Sequence, residues 1–410
     1  MASTPSLIGF GDADSFYASA EVVRRPWLKG VPVGVLGNQG ACVIARDYKM
    51  KACGVKVGHP VWEAKKLCPD GVYLKRDFHW YEAISRKMLA EVREHFSPQV
   101  EYFSIDEFFW DGIPSAGKNY QQTAEAVRAH ILKAVGVPMT VAFARTRTLA
   151  KLFADTIKPF GAVAVEDANH EIDLLARLPV TEIAGIARRR AARLEPYGVR
   201  TCLDFRNADG RTVKRILTAT GHDLWLELNG ERVNPIRANR TPHKMISRGG
   251  SLAGHVSNVF ILYGWLVRNT ERLIEELHYH QVRPEVLTIY VSYFDCESAA
   301  GSVRLNTPSD RFDVLLNAAK SGLRQAWRQG RTATHMHLVA SNLSRAGSWQ
   351  PSLFDLPDPT QEALAKVKKA INDTFGRFTI RSGATLYANT FYRDPANMHD
   401  VCDIRGKFCF

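Results

Sequence analysis

The sequence is poor in cysteine and has no long run of apolar residues. Its 7 cysteines, an odd number spread over 410 residues, argue against a disulfide framework and favour a reducing compartment. No stretch approaches the roughly 18 apolar residues that a membrane-spanning helix needs, and the amino-terminal residues lack the pattern of a secretory signal. We therefore expect a cytoplasmic protein with no membrane partner.

Cysteine and histidine clusters with zinc-ligand spacing are also lacking. Cys402 and Cys409 flank a basic turn, but no second Cys or His pair completes a site around them, so they are interpreted as ordinary thiols. Residues 278–280 and 335–337 are both His-x-His. They are assigned no role, since we expect surface positions with no acidic or cysteine partner nearby.

Two acidic clusters each follow a short apolar run. Residues 12–14 (Asp-Ala-Asp) follow the run 7–10, and residues 104–107 (Ser-Ile-Asp-Glu) follow the run 100–103. Both runs indicate buried strands, and carboxylates at strand ends are costly to bury unless they hold a cation. Oxygen ligands suit Mg²⁺, and two ions about 3.5–4 Å apart promote in-line phosphoryl transfer. The clusters therefore predict nucleotidyl transfer.

Each cluster by itself has an ordinary structural explanation. Asp-x-Asp is most often a turn or a helix cap, and Ser-x-x-Glu is also a capping box. The strings around them are more specific, and in chain order they are Asp12-Ala-Asp-Ser-Phe-Tyr-Ala-Ser-Ala-Glu21, Cys42-Val-Ile-Ala-Arg46, Gly54-Val-Lys-Val-Gly58, Ser104-Ile-Asp-Glu107, Thr148-Leu-Ala-Lys-Leu152 and Lys158-Pro-Phe-Gly161. Together they resemble the Y-family translesion DNA polymerases.

Three further strings resemble the UmuC branch of that family, the catalytic subunit of bacterial polymerase V. They are residues 40–46, 302–308 and 371–377. The similarity to the family runs from about Leu7 to the region near Gly383.

The resemblance implies a multidomain α+β fold with the right-hand polymerase architecture. Residues 1–24 and 77–165 follow the split β-α-β-β-α-β order, which is the palm of such enzymes. The remaining domains would be the fingers (25–76), a helical thumb with a helix-hairpin-helix-like turn (166–240), a little finger (243–345), and a linker with a clamp-binding peptide and a tail (346–410).

The hydrophobic pattern predicts individual elements within these domains. Helices are expected over 81–96 and 120–135, with a strand over 139–143. The segment 243–345 repeats the β-α-β-β-α-β order, and Thr307 followed by Pro308 predicts the start of its second helix.

The resemblance also assigns the catalytic acids. Asp12 and Asp106 would bridge two Mg²⁺ ions, for which Mn²⁺ could substitute, with Glu107 and the backbone carbonyl of Ala13 completing the site. Because Asp106 and Glu107 are adjacent, a regular strand would point them to opposite faces. A twist, turn or bulge is therefore implied, or else only Asp106 binds tightly and Glu107 joins with the substrate. Asp14 is not assigned as a ligand.

Four residues are expected at the incoming nucleotide. Tyr17 occupies the steric-gate position, where a ring against the sugar excludes a 2′-hydroxyl; a core tyrosine beside Phe16 is the alternative. The family pattern places Tyr48, Lys51 and Lys158 around the triphosphate.

Acidic residues are outnumbered, with 42 Asp and Glu against 54 Lys and Arg and a formal net charge of +12. A polyanionic partner is therefore expected, with salt-sensitive binding. A solvated helix face is the usual explanation for a basic run, but upstream metal-binding acids favour a DNA backbone. The thumb turn would use Gly185 with Arg188, Arg189 and Arg190. The family's second glycine is replaced by Ala187, which would be strained if that position needs a positive φ.

A peptide after the last predicted domain resembles the sliding-clamp-binding pentapeptide of bacterial polymerases. It uses Gln350, Leu353 and Phe354; five residues occur by chance, but the location favours the functional interpretation. The expected partners are primer-template DNA, dNTPs and the sliding clamp. The UmuC resemblance adds a UmuD-type accessory dimer and RecA, in a bacterial, nucleoid-associated setting.

The leading hypothesis is an error-prone DNA polymerase that copies past damaged bases without proofreading. One alternative is a catalytically silent polymerase-like adaptor that binds DNA and clamp; such relatives lose the acids, and Asp12, Asp106 and Glu107 are present here. A palm-fold nucleotide cyclase is a third hypothesis, but the chain lacks its Gly-Gly-Asp-Glu-type signature. Metal-dependent incorporation separates the first two.

Overall fold

A computed structural model describes residues 6–37, 42–238, 243–345, 359–375 and 379–388. These residues belong to two compact units that divide between residues 240 and 241. None of the helices among them has the length and apolar character to cross a membrane.

The first unit contains eight strands and ten α-helices among its described residues. The strands are β1 (Ile8–Ala13), β2 (Val33–Leu36), β3 (Val43–Arg46), β4 (Val72–Lys75), β5 (Val100–Tyr102), β6 (Glu107–Asp111), β7 (Met139–Ala144) and β8 (Ala162–Ala164). The helices are α1 (Phe16–Arg24), α2 (Tyr48–Ala52), α3 (Val61–Leu67), α4 (Phe78–His95), α5 (Tyr120–Val135), α6 (Arg147–Thr156), α7 (Ala168–Arg177), α8 (Arg188–Leu194), α9 (Cys202–Asn207) and α10 (Gly210–Leu228), the last interrupted at Thr218.

A five-stranded sheet with the order β5-β6-β1-β7-β8 forms the centre of the first unit. The central strand β1 is buried along its whole length and pairs antiparallel with β6 and β7. Alternate side chains of the sheet face two different cores: Phe108 and Phe143 pack with α4 and α5, whereas Phe10 and Phe109 pack with α6 and the later helices. Because helices pack against both faces of this sheet, the ends of β1 and β6 are held in place.

A close approach across these strands requires a glycine. The strand residue Gly9 lies opposite Trp110 in the β1–β6 register, and a Cβ atom there would come within 2.3 Å of the indole ring. Glycine therefore lets the largest buried side chain of the sheet lie flat against β1.

A smaller sheet with the order β3-β2-β4 follows α1. Its β2 and β4 are parallel, and Val43, Met50 and Val55 form a separate small core with α2 and α3. Helices α7 to α10 follow β8 and bury Leu175, Leu194 and Phe205 in the same core as α6.

The second unit is built on a four-stranded antiparallel sheet with the order β11-β10-β12-β9. Its elements are β9 (Met245–Val256), α11 (Val259–His280), β10 (Val282–Tyr293), β11 (Ala299–Arg304), α12 (Phe312–Ala326), β12 (Ala333–Arg345) and α13 (Pro359–Phe375). The core side chains of the sheet, among them Leu287, Ile289 and Leu338, pack against α11 and α12.

The β-α-β-β-α-β order along the chain occurs in both units, but the strand orders differ. Numbered within each repeat, the first sheet places its strands as 2-3-1-4, with β8 added at the edge, and the second as 3-2-4-1. The periodic pattern determines which residues face a core but carries no information on which strands are neighbours.

Most of the predicted elements are confirmed. Helix α5 spans the predicted residues and begins at an Asn119 capping box, α4 begins three residues earlier than predicted, and β7 extends one residue further.

The helix start predicted at Thr307 is wrong, because α12 begins at Phe312. The backbone N–H groups of Leu305 and Ser309 donate to the carbonyls of Glu285 and Pro284, which lie near the start of β10. These bonds keep the chain extended beside the strand. The Ser309 hydroxyl then accepts from the N–H of Arg311, the cap residue of the helix.

Candidate active site

The paired strands β1 and β6 bring the acidic clusters together. Asp12 lies opposite Glu107 in the register, and the N–H of Ala13 donates to the carbonyl oxygen of Asp106 over 2.9 Å. Asp12 is only 7% exposed, although it carries a carboxyl. The two sequence motifs therefore meet through backbone pairing.

The hairpin turn between β5 and β6 brings the carboxyls of the adjacent residues Asp106 and Glu107 close together. The N–H groups of Phe103 and Ser104 both donate to the carbonyl of Glu107, over 3.0 and 3.1 Å, so residues 104–106 leave the strand. The Ser104 hydroxyl donates to Asp106 Oδ1 over 2.6 Å and lies 3.4 Å from Glu107 Oε2. The predicted turn is confirmed, and it brings both carboxyls to one hydroxyl.

Two lysines contact the acids. Lys158 Nζ lies 2.6 Å from Asp12 Oδ2 and 2.7 Å from Asp155 Oδ1, while Lys151 forms an ion pair with Glu107. The family pattern predicts Lys158 near the triphosphate, whereas it assigns no role to Lys151, which lies in one of the matched strings. Sequence alone does not indicate that α6 turns Lys151 towards β6.

Burial dominates the electrostatics of the acids. It raises the pKa of Asp12 to about 7, and the carboxyls of Asp106 and Glu107 add to the shift, which Lys158 only partly opposes. Burial also raises the pKa of Asp106, against the hydrogen bond from Ser104. The lysines thus do not fully offset the cost of ionising these carboxyls, and an added cation would lower that cost.

For the Lys158 ammonium, the effect of burial on the pKa is smaller than the combined effect of the neighbouring carboxyls. Burial would lower its pKa, but the charges and hydrogen bonds of Asp12 and Asp155 outweigh burial and raise it. The two groups of the Lys158–Asp12 contact therefore differ in the effect of their raised pKa values. The raised pKa of Asp12 favours the neutral carboxyl, whereas the raised pKa of Lys158 keeps the ammonium charged. The Lys158 ammonium is held charged because two carboxyls contact it at hydrogen-bonding distance.

Asp14 points away from the other acids and has a structural role. Its carboxylate accepts from the Thr140 hydroxyl at 3.0 and 3.1 Å, from the N–H of Phe160 at 2.9 Å and from Tyr48 at 3.4 Å. These bonds tie β1 to β7, to the segment after Lys158 and to α2. The Asp14 carboxylate is therefore already held by donors of the protein itself.

Tyr17 lies beside the acids at the start of α1. Its ring stacks on Tyr81 with centroids 4.5 Å apart and an angle of 18°, and Phe16 and Phe78 flank it. Burial and the Asp106 charge raise the pKa of Tyr17 to about 12. The ring is therefore held in one orientation and its hydroxyl stays neutral.

The small sheet contributes Tyr48 and Lys51 through α2. The Asp47 carboxylate caps this helix by accepting from the N–H of Met50, and Lys51 Nζ lies 5.6 Å from the centre of the Tyr48 ring. Burial and the Asp14 charge raise the pKa of Tyr48 to about 12. The contact with Asp14 links the predicted nucleotide residues of α2 to the acids.

The basic turn lies on a different part of the first unit. Gly185 has φ +99°, as expected for a residue that needs glycine. Ala187 has φ −81° and ψ 174°, which any residue adopts, so the Ala187 replacement carries no strain. Arg188 and Arg189 are exposed. Among the described residues, no hydrogen bond or ion pair links this turn to the acids.

Other predicted features fall elsewhere. Gln350, Leu353 and Phe354 lie outside the residues that the structure describes, as do Cys402 and Cys409.

One expectation about the histidines is wrong. His278 Nε2 lies 3.3 Å from Asp310 and His280 Nε2 lies 3.3 Å from Glu276, so both have acidic partners. These partners come from one helical turn away or from across the fold, which local spacing does not reveal.

Comparisons with known proteins give a consistent result. Two sequence models of the impB/mucB/samB family match, one over residues 11–155 and that of the C-terminal domain over residues 243–353. DNA polymerase IV of Bacillus velezensis is 29% identical over 399 residues, covering 94% of each chain. UmuC of Salmonella typhimurium is 28% identical over 389 residues, covering 90% of this chain and 91% of UmuC.

Solved structures agree in fold. The Y-family DNA polymerase chimera of Dbh and Dpo4 superimposes with a TM-score of 0.69 at 23% identity, covering 83% of this chain and 99% of the chimera. An insertion ternary complex of Dbh DNA polymerase gives 0.56 at 23% identity, with the same coverage.

Proposed function

The chain belongs to the impB/mucB/samB family of Y-family DNA polymerases, and from this premise we propose that it performs error-prone, template-directed synthesis past damaged bases. The observation that carries the proposal is the convergence of Asp12, Asp106 and Glu107 at the ends of β1 and β6. A nucleotidyltransferase needs such a cluster beside its primer terminus.

The donor set fits divalent cations with a preference for oxygen. The carboxyls of buried Asp12 and half-buried Asp106 have raised pKa values, and Ala13, next to Asp12, donates its N–H to the carbonyl oxygen of Asp106. We propose that these residues and Glu107 hold two Mg²⁺ ions, with Mn²⁺ as a substitute. The ions would supply a lowered pKa at the primer 3′-hydroxyl and neutralise charge on the triphosphate and the leaving pyrophosphate.

The protein's own cations are placed to bind the triphosphate. Lys158 is charged and pairs with Asp12, so a competing cation at Asp12 would release its ammonium towards a phosphate. Lys51 and the Tyr48 hydroxyl approach from α2, and we propose that all three groups orient the triphosphate. Lysine provides a point charge for this purpose rather than the paired donors of arginine.

Tyr17 is proposed to select the sugar. A neutral ring fixed between Tyr81 and Phe78 cannot move aside for an added 2′-hydroxyl, so ribonucleotides would be excluded by overlap.

The domains are proposed to bind primer-template DNA. On this proposal the five-stranded sheet is the palm, residues 25–76 are the fingers, helices α7 to α10 form the thumb and the second unit is the little finger. Small fingers would leave an open, low-fidelity site. Exposed Arg188 and Arg189 next to Gly185 would contact DNA phosphates.

The sliding clamp, a UmuD-type dimer and RecA complete the proposed partners. The clamp proposal rests on the Gln350, Leu353 and Phe354 string, and the other two rest on the UmuC-like strings. The silent-adaptor alternative is not favoured, because the acids are retained and converge.

Primer extension by the purified chain tests the proposal. Templates with and without an abasic site are copied with Mg²⁺ and dNTPs, by the native chain and by Asp106→Asn. We expect extension and bypass by the native chain, and a loss of about a hundredfold or more in the variant. Asp173→Asn, an exposed position on α7, is the control and should keep full activity.

Two results would contradict the proposal. Tight DNA binding without extension, even after adding clamp, UmuD-type and RecA proteins, would indicate an adaptor. Extension that stops at the abasic site would remove the translesion role.

A further inference from the structure

A second cluster of potential metal ligands lies on the helices that cover the sheet. Glu91 and His95 are one turn apart on α4, so they share a face, and His130 lies on the neighbouring helix α5. One ligand atom from each residue lies within 4.8 Å of the other two. Spacing along the chain does not reveal this cluster, because His130 is far from Glu91 and His95 in the sequence.

The contacts within the cluster are close to those of a coordination site. His130 Nε2 lies 2.7 Å from Glu91 Oε2, and His95 Nδ1 lies 3.6 Å from the same oxygen. Ligand atoms of a tetrahedral zinc ion with bonds of about 2.0–2.1 Å are about 3.3 Å apart. His95 Nδ1 also lies 3.1 Å from the backbone carbonyl oxygen of Glu91, so it would exchange that contact for the ion when small side-chain rotations bring all three ligands together.

The charge balance also favours a cation. In the part of the chain that the structure describes, Glu91 pairs with no lysine or arginine; its only partners are the two imidazoles. The rings of His95 and His130 lie 4.3 Å apart, so a nitrogen of each ring is available beside the Glu91 carboxylate, and imidazole nitrogens and carboxylate oxygens are ordinary zinc ligands.

One aromatic ring partly shields the site from solvent, and the three side chains remain partly exposed. The Phe96 ring packs edge-on against His130 at 5.5 Å, whereas the side chains of Glu91, His95 and His130 are 20%, 43% and 29% exposed. Three protein ligands with solvent access leave one tetrahedral position for water.

We propose that Glu91, His95 and His130 bind one Zn²⁺ ion that links the end of α4 to α5. Two imidazole nitrogens and one carboxylate oxygen suit this borderline ion, in contrast to the all-oxygen cluster of Asp12, Asp106 and Glu107. The site is therefore chemically distinct from the proposed catalytic centre.

Zinc titration of the full-length protein tests the proposal. Binding is measured by competition with a chromogenic chelator, in excess Mg²⁺ to occupy the catalytic acids. We expect one tight equivalent of Zn²⁺, weakened at least about tenfold by Glu91→Gln, His95→Asn or His130→Asn. Asp106→Asn should retain that equivalent, which would separate the site from the catalytic acids.

A matched histidine pair provides the control. His335 and His337 are exposed on one strand, β12, and His335→Asn with His337→Asn should leave the tight equivalent unchanged. Equal Zn²⁺ affinity in the native chain and in the Glu91, His95 and His130 triple variant would overturn the proposal.

A spectroscopic measurement distinguishes loss of the metal site from misfolding of the variants. Co²⁺ bound by the native chain should show the visible absorption of a tetrahedral ion, and His95→Asn should lose it. Because His95 is the most exposed of the three ligands, its replacement disturbs packing least. Unchanged absorption in folded His95→Asn, checked by circular dichroism, would contradict the assignment.

Discussion

At the scale of single residues, the cluster of Asp12, Asp106 and Glu107 shows how hydrogen bonds and ion pairs stabilise carboxyls that burial and mutual repulsion destabilise. Burial and mutual repulsion raise the pKa of Asp12, while Lys158, Lys151 and Ser104 supply hydrogen bonds and charge. The partners reduce the cost of burying the ionised acids without cancelling it, and a bound cation would reduce that cost further.

The sugar-selection proposal gives a prediction at this scale. Tyr17→Ala should raise the incorporation of ribonucleotides relative to deoxyribonucleotides by about tenfold or more, because removing the ring opens space at the sugar. Single-nucleotide insertion kinetics with matched rNTP and dNTP measure the ratio. Tyr197→Ala, an exposed tyrosine of the same unit, is the control. An unchanged ratio in Tyr17→Ala would remove the steric-gate assignment.

At the scale of elements, the start of α4 depends on one carboxylate. Asp77 accepts from the N–H of Trp80 over 3.2 Å and pairs with Arg24 over 2.6 Å. Although burial alone would raise the pKa of Asp77, the Arg24 contact and the Trp80 N–H lower it below the ordinary value of 3.8. The ionised cap therefore joins α4 to α1.

This cap predicts a pH-dependent contribution to stability. Asp77→Ala should lower the free energy of unfolding by about 1 kcal/mol near neutral pH. Because the folded-state pKa is lowered, the charge contribution is complete above the ordinary pKa and is lost as the pH falls through the folded value. Urea unfolding followed by tryptophan fluorescence, at about pH 7 and about pH 3, measures both effects.

Asp77→Asn separates the cap from the charge. Asparagine also caps helices, so this variant should lose only the pH-dependent part, and its difference from the native chain should shrink at low pH. A difference that stays constant over this range would show that the Arg24 pair contributes no stability.

Helix α12 approaches β11 so closely that two glycines meet. A Cβ atom on Gly301 would lie 2.0 Å from the carbonyl oxygen of Gly322. Gly301→Ala should therefore destabilise the second unit by about 1–3 kcal/mol, seen as faster hydrogen exchange in β11 and α12.

Gly383→Ala is the matched control for this close approach, since nothing lies within 4 Å of its added Cβ. It should change stability by no more than about 0.5 kcal/mol. Equal exchange rates in both variants would show that α12 can shift away from β11 at little cost.

At the scale of the whole molecule, the net charge of +12 governs the approach to DNA. Binding to a primer-template should weaken steeply between about 50 and 200 mM salt, because each phosphate that the protein neutralises releases counterions. Arg188→Glu with Arg189→Glu should lower the affinity and reduce the salt slope by about 1 for each phosphate that is no longer bound. Fluorescence anisotropy over the salt series measures both quantities.

Lys133→Glu changes the charge in the same sense at an exposed position on α5. It should lower the affinity only slightly and leave the slope unchanged. An equal loss of affinity in this variant would mean that net charge, and not the α8 turn, determines binding.

Much of this arrangement could be predicted from the sequence. Helix α5 and strand β7 follow from local periodicity and capping, which depend on residues within a few positions of each other. The acids could be identified because their surrounding strings are specific. Lys151 and the Glu91, His95 and His130 cluster could not, since their partners lie far away along the chain.

The sequence by itself determined the α+β elements, the family and the identity of the acidic residues, because periodicity and motifs are local properties. Only the tertiary structure decided the two strand orders, the single hydroxyl of Ser104 that contacts both Asp106 and Glu107, and the relaxed backbone of Ala187. These features depend on backbone pairing and side-chain packing between distant segments, and spacing along the chain does not encode either one.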